Sequence, residues 1–170
     1  CYSIESIQIP SKITTISIRL FEFCEKLKKI EFLGEITSIG SGAFQYCEVL
    51  PNFTIPKKVT QIKSTTFYSC ITIKSIEIHN DVTLISSSAM ANCHELPVIK
   101  IPEKVTSLGS GAFSSCRSLK SIIVPNKIIE IEERLFHSCY NITNITFLGD
   151  VKSIGISAFS ACKSLQYLKL

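Results

Sequence analysis

Residues 116–138 read CRSLKSIIVPNKIIEIEERLFHS, and this single frame decides the fold. Its opening cysteine recurs at Cys1, Cys24, Cys47, Cys70, Cys93, Cys139 and Cys162, so that all eight lie 23 residues apart. A strict period of roughly 20–50 residues is the signature of a solenoid, in which each repeat is one coil stacked on its neighbours. The register never slips. It defines seven full coils, 1–23, 24–46, 47–69, 70–92, 93–115, 116–138 and 139–161, and a partial eighth, 162–170. Positions within a coil are counted from its cysteine, taken as offset 0.

Offsets 3, 6 and 8 are apolar in every coil. In the quoted frame they are Leu119, Ile122 and Val124. The last two are separated by one residue, and β-branched side chains dominate both columns, which predicts a short strand with one buried face. A turn follows at offsets 9–11, as Pro10-Ser11-Lys12, Pro56-Lys57-Lys58, Pro102-Glu103-Lys104 or Pro125-Asn126-Lys127, with Leu-Gly-acid instead at Leu33–Glu35 and Leu148–Asp150. Proline removes a ladder donor and glycine tolerates positive φ, so either chemistry ends the strand. Offsets 12 and 15 return to the core, as in Val105 and Leu108 or Val151 and Ile154, and predict a second, very short extended segment.

Next comes a Gly/Ser-rich stretch and then a bulky column at offset 20: Phe21, Phe44, Phe67, Met90, Phe113, Phe136 and Phe159. Small residues beside it suit a brief helical or 3₁₀ turn. The expected fold is an α/β solenoid, a right-handed superhelix with short concave strands and helical or 3₁₀ turns opposite, forming one array over 1–170. Neither end shows a polar cap, so the chain reads as a piece of a longer array.

The pattern Leu-x-x-Ile-x-Ile-Pro-x-x-Val-x-x-Ile-Gly-x-x-Ala-Phe-x-x-Cys, best seen in Leu96 to Cys116 and Leu119 to Cys139, resembles the BspA-like (Treponema-type) leucine-rich repeat. The resemblance recurs in every coil. His79 and Met90 depart from it in coil four, as do Ile18-Arg19-Leu20 in coil one and Glu133-Arg134-Leu135 in coil six. It implies a cell-surface or secreted protein of a bacterium or protist, associated with adhesion to host cells or matrix proteins. Ile-, Lys-, Ser- and Asn-rich usage suits an AT-rich genome.

The cysteines read as buried, reduced core residues. Stacked columns give parallel Cβ vectors, a poor bridge geometry. No histidine shares a face with a cysteine pair at ligand spacing, so no metal is expected. His79, His94 and His137 occupy offsets 9, 1 and 21 and cannot converge. Glu132 and Glu133 read as a solvated face, and Gly40-Ser41-Gly42 and Gly109-Ser110-Gly111 lack the lysine of a phosphate loop. No catalytic site is visible, and no cofactor is implied. The net charge of +4 is spread thinly, which argues against a nucleic-acid or anionic-membrane surface. No stretch approaches the ~20 apolar residues of a spanning helix.

Binding remains. The outward strand positions, offsets 5 and 7, are mostly polar. Val98 and Ile123 are the apolar pair, one coil apart, with Lys100, Ser121, Ser75 and Glu77 around them. They read either as an interface centre ringed by polar groups or as two incidental exposed side chains. Asn52, Asn141 and Asn144 open Asn-x-Thr sequons, which matter only in a secreted eukaryotic protein. The leading expectation is a non-enzymatic protein-binding module recognising a host-cell or matrix protein. The alternatives are a spacer without a ligand and an intracellular scaffold, the latter favoured by reduced thiols.

Overall fold

The computed structural model describes all 170 residues. Seven strands lie at offsets 5–8: β1 (Ser6–Ile9), β3 (Lys29–Phe32), β5 (Asn52–Thr54), β7 (Ser75–Glu77), β10 (Ser121–Val124), β12 (Asn144–Phe147) and β14 (Tyr167–Lys169). Seven two-residue strands lie at offsets 14–15: β2 (Thr15–Ile16), β4 (Ser38–Ile39), β6 (Gln61–Ile62), β8 (Leu84–Ile85), β9 (Ser107–Leu108), β11 (Glu130–Ile131) and β13 (Ser153–Ile154). All pairing is parallel and joins residues 23 apart, such as Ile7 to Ile30 and Ile122 to Ile145. The alternation of apolar and polar residues therefore becomes one buried and one outward column per strand.

The bulky column and the cysteines form the other wall of the core. Phe44, Phe67, Phe113 and Phe136 are fully buried. Their rings stack nearly parallel from coil to coil, with centroids 5.8 Å apart for Phe44–Phe67 and 5.7 Å for Phe113–Phe136. Cys24, Cys47, Cys70, Cys93, Cys116 and Cys139 are buried and unbridged, while Cys1 is exposed. From coil three to coil eight the thiols of Cys47 through Cys162 each donate to an offset-20 carbonyl 26 residues back, two coils earlier in this numbering. For example, Cys47 Sγ lies 3.2 Å from Phe21 O and Cys139 Sγ lies 3.1 Å from Phe113 O. The cysteine is thus a small apolar plug that also ties two coils together.

The segment opposite the strands is not helical, which corrects both the expected helical or 3₁₀ turns and the α/β class: the solenoid is built of parallel β-strands and turns alone. Two residues per coil, at offsets 18 and 22, adopt the left-handed region, from Arg19 (φ 54°) and Phe23 (φ 57°) to Ser157 (φ 57°) and Ala161 (φ 60°). Such residues interrupt any helical run. Alternate amides then face in different directions. Those at offsets 19 and 21, and the amide of the cysteine that opens the next coil, close local turns, as Leu20 N to Ser17 O and Cys24 N to Phe21 O do. Those at offsets 18, 20 and 22 donate to the next coil, as in Gly42 to Ser64, Phe44 to Thr66 and Tyr46 to Tyr68. This turn-side ladder is present at every junction from coil one to coil seven. Ile154 also departs from expectation: it is exposed rather than core, because no offset-15 residue of an eighth coil covers it.

Candidate functional site

The strand face is less continuous than the turn side. At offsets 5–8 the ladder joins β1 to β3, β5 to β7, and β10 to β12 to β14. Three junctions are unpaired: coils two–three, four–five and five–six. At each, offset 9 of the later coil is proline, namely Pro56, Pro102 and Pro125. At the paired junctions that residue is Leu33, His79 or Leu148, or lies beyond Leu170. At two of the paired junctions the offset-9 amide closes the end of the ladder, whereas β5 and β7 pair without a bond from His79 N. Leu33 N donates to Ile9 O (3.0 Å) and Leu148 N to Val124 O (2.9 Å), closing the end of the ladder. Proline has no such donor. Pro51 and Pro97 at offset 4 remove a second donor, the counterpart of Lys28 N to Glu5 O and Lys74 N to Pro51 O, both 2.8 Å.

Coil five, expected to carry a strand like the others, consequently has none at Val98, Ile99, Lys100 and Ile101. No backbone hydrogen bond involves these four residues. The junction between coils five and six is also open at offsets 14–15, since β9 ends one short sheet and β11 begins another. On the strand side it retains Lys120 N to Pro97 O (3.2 Å) and, nearby, Ser118 N to His94 O (2.9 Å).

A cleft of about 340 Å³ lies at this junction. Ile99, Ile101 and Ile122 form its buried floor, with Pro125 and Leu148 as walls. Val98 and Ile123 stand at its lips, each 62 % exposed. Of the six residues expected on a binding face, Val98, Lys100, Ser121 and Ile123 line the cleft. Ser75 and Glu77 do not. They lie on β7, and Glu77 accepts a hydrogen bond from Thr54 Oγ1 at 3.0 Å instead. Lys100 and Glu103, both at the cleft, have no ion-pair partner. Pro125, Pro102 and Leu148 were legible only as strand terminators.

The sequon asparagines are all exposed. Asn52 aligns with Ser75, and Asn144 stands between Ser121 and Tyr167 on the strand face. The three histidines stay apart. His79 replaces the offset-9 proline; Asp81 N donates to its Nδ1 (3.2 Å), so Nε2–H faces Pro56 O and Val59 O, each at 3.1 Å. Burial and the Arg117 charge hold the His94 imidazole below its usual range. Glu132 accepts from Ser110 Oγ at 3.4 Å across the junction.

The chain matches the family profile described as BspA type leucine rich repeat region, in six copies, over residues 1–98 and 85–170. No curated protein matches it. Among solved structures, it is similar to a leucine-rich cell surface protein of Faecalibacterium prausnitzii, at 28% identity and TM-score 0.74, over 100% of this chain and 55% of that one. A leucine-rich repeat protein of Bacteroides ovatus is similar at 26% identity and TM-score 0.68, over 95% of this chain and 47% of that one. The leucine-rich repeat protein of Treponema pallidum shares the fold, with TM-score 0.86 at 24% identity over 95% of this chain and 78% of its own. The chain therefore spans only about half the length of the first two.

Proposed function

This chain belongs to the BspA-type leucine-rich-repeat family, and from that premise we propose that it is a protein-binding module of a cell-surface or secreted protein, without catalytic activity of its own. Its ligand is a host-cell or extracellular-matrix protein, and the contact centres on the cleft between coils five and six. One observation supports the location. Val98 and Ile123 are largely exposed at the lips of an apolar cleft, on a face whose other outward positions are polar apart from Tyr167. Exposed apolar groups ringed by polar ones, over a desolvated floor, are the usual make-up of an interface centre. The cell-surface setting is supported by the similarity to the Faecalibacterium protein.

Label-free binding of the purified chain to a panel of matrix proteins and host-cell surfaces tests this, with a Val98→Glu/Ile123→Glu variant beside it. Saturable binding lost in the variant is the expected result. Binding retained in the variant moves the site elsewhere, and no binding at all favours a spacer.

A further inference from the structure

Charges that look evenly spread along the sequence are gathered by the fold. Offsets 1–7 of every coil form the strand face and the edge that leads into it. In coils one to four this surface carries five carboxylates and four lysines, and several of them meet: Glu5 pairs with Lys28 at 3.0 Å and Glu31 with Lys29 at 3.8 Å. In coils five to eight it carries Lys100, Arg117, Lys120, Lys163 and Lys169 against one carboxylate, Glu95, which faces Lys74 of coil four at 4.0 Å. The surplus there equals the net charge of the whole chain, +4. All five cations are exposed, and none forms an ion pair.

Two of these cations are held in place without being neutralised. Arg117 of coil six and Lys163 of coil eight both reach over the Tyr140 ring of coil seven, with Arg117 Cζ 5.7 Å and Lys163 Nζ 5.2 Å from its centroid. An aromatic face attracts a cation through its quadrupole but has no net charge, so both positive charges still act on whatever approaches. Like charges gathered on one surface raise the potential over it, and that field reaches about 8 Å into solution at physiological salt. The apolar cleft lies within the same surface, since Lys100 lines it and Lys120 precedes its Ser121. A sulfated glycan or a nucleic-acid backbone would meet the charges but has no aliphatic side chain to lay over Val98 and Ile123. A protein surface offers both carboxylates and apolar side chains.

We infer that the strand face and edge of coils five to eight recognise an acidic protein surface, whose carboxylates meet Lys100, Arg117, Lys120 and Lys163 around an apolar contact at Val98 and Ile123. The inference rests on the protein-binding role given above and adds the charge of the partner's contact region. Glu103, the unpaired carboxylate at the cleft, opposes such a ligand, so its removal tests the sign of the interaction. The surface is read by a four-site variant, Lys100→Gln/Arg117→Gln/Lys120→Gln/Lys163→Gln. Its control, Lys12→Gln/Lys26→Gln/Lys57→Gln/Lys152→Gln, lowers the net charge equally at exposed positions outside this surface. Lys100→Gln/Lys120→Gln leaves the Tyr140 contacts intact and serves if the four-site variant does not fold.

The probes are short peptides with one central Phe flanked by glutamates, serines or lysines, with heparin beside them. In about 50 mM NaCl the glutamate peptides should bind wild type about tenfold more tightly than the serine peptides. That advantage should vanish in the four-site variant, survive in the control and grow about twofold in Glu103→Gln. No preference for glutamate, or equal loss in the variant and its control, overturns the inference. Heparin that binds more tightly than every glutamate peptide, and equally well to Val98→Ser/Ile123→Ser, points to a sulfated glycan and also overturns it. For a matrix protein captured by the panel, the association rate should fall at least about tenfold in about 500 mM NaCl and in the four-site variant. Matrix binding lost in Val98→Glu/Ile123→Glu but unchanged in the four-site variant sinks this inference and leaves the binding role standing. A wild-type chain that ignores the matrix panel removes the binding role, while the peptides still decide the charge of the ligand.

Discussion

Truncating Phe113 to alanine isolates the packing of the bulky column, because its backbone bonds survive the change. The ring is fully buried, between Met90 of coil four and Phe136 of coil six, whose ring it stacks at 5.7 Å and 8°. Phe113 N still donates to Leu135 O (3.1 Å), and Phe113 O still receives Cys116 N (3.3 Å) and Cys139 Sγ (3.1 Å). Removing a fully buried phenyl group forfeits about 2–3 kcal/mol of transfer free energy. A residual cavity of roughly 60 Å³, at ~24 cal/mol per Å³, adds about 1.5 kcal/mol. The lost stack adds about 0.5 kcal/mol. The total, about 4–5 kcal/mol, appears in urea unfolding as a midpoint lowered by roughly 2 M if the slope is about 2 kcal/mol/M. Phe159, at the less covered end of the column, is only half-buried, and its alanine variant should lose no more than about half as much. A Phe113→Ala loss below about 1 kcal/mol, or equal losses at the two sites, refutes the assignment of offset 20 as the packed wall of the core.

The cysteine column predicts a reactivity pattern and a pH profile. Burial pushes the thiols of Cys47 and Cys116 up to about 12 from the usual value near 9. Iodoacetamide at pH 8 should therefore label Cys1 in the folded chain and spare the six buried thiols until urea is added, which peptide mass spectrometry checks. Because the folded thiols hold their protons while unfolded ones ionise, stability is intact below about pH 9 and falls as pH rises above it, by up to ~1.4 kcal/mol per pH unit for each such thiol. Urea melts at pH 8 and pH 10 that coincide would contradict this. Gly109→Ala places a Cβ 2.3 Å from Ser87 N and 2.7 Å from Ser86 C, both immovable backbone, and should cost about 2–3 kcal/mol in thermal or urea unfolding. A neutral Gly109→Ala would mean that coils four and five approach less closely than described.

The period alone located the coils, the buried columns and the 23-residue register of every strand pair, because stacking identical offsets leaves the chain almost no other arrangement. The turn side was misread for a definable reason. Left-handed φ at offsets 18 and 22 falls on Gly42 and Gly111, but also on Arg19, Thr65, Asn92 and Ser138. Nothing in those side chains announces it. The conformation is set by alternate amides reaching the adjacent coil, a tertiary demand that overrides local preference. For the binding face, Val98 and Ile123 were legible as apolar residues at outward offsets. The cleft beneath them was not, since Pro102 and Pro125 read as ordinary strand-ending turn prolines and nothing in them announces an unpaired junction.

The two sides of the solenoid thus carry different duties. On the turn side, three backbone bonds per junction, the stacked rings and the thiol ties recur from coil to coil, and a change at any one of them is felt by both neighbours. On the strand side, a single proline at offset 9 accompanies each unzipped junction, and the core beneath remains continuous across it. Continuity of the array therefore does not depend on the strand ladder. The ladder is open at the junctions entering coils three, five and six, each time beside an offset-9 proline, while the stack beneath is unbroken. In this chain an apolar cleft falls at such a junction, where Pro97, Pro102 and Pro125 flank the strand positions of coils five and six.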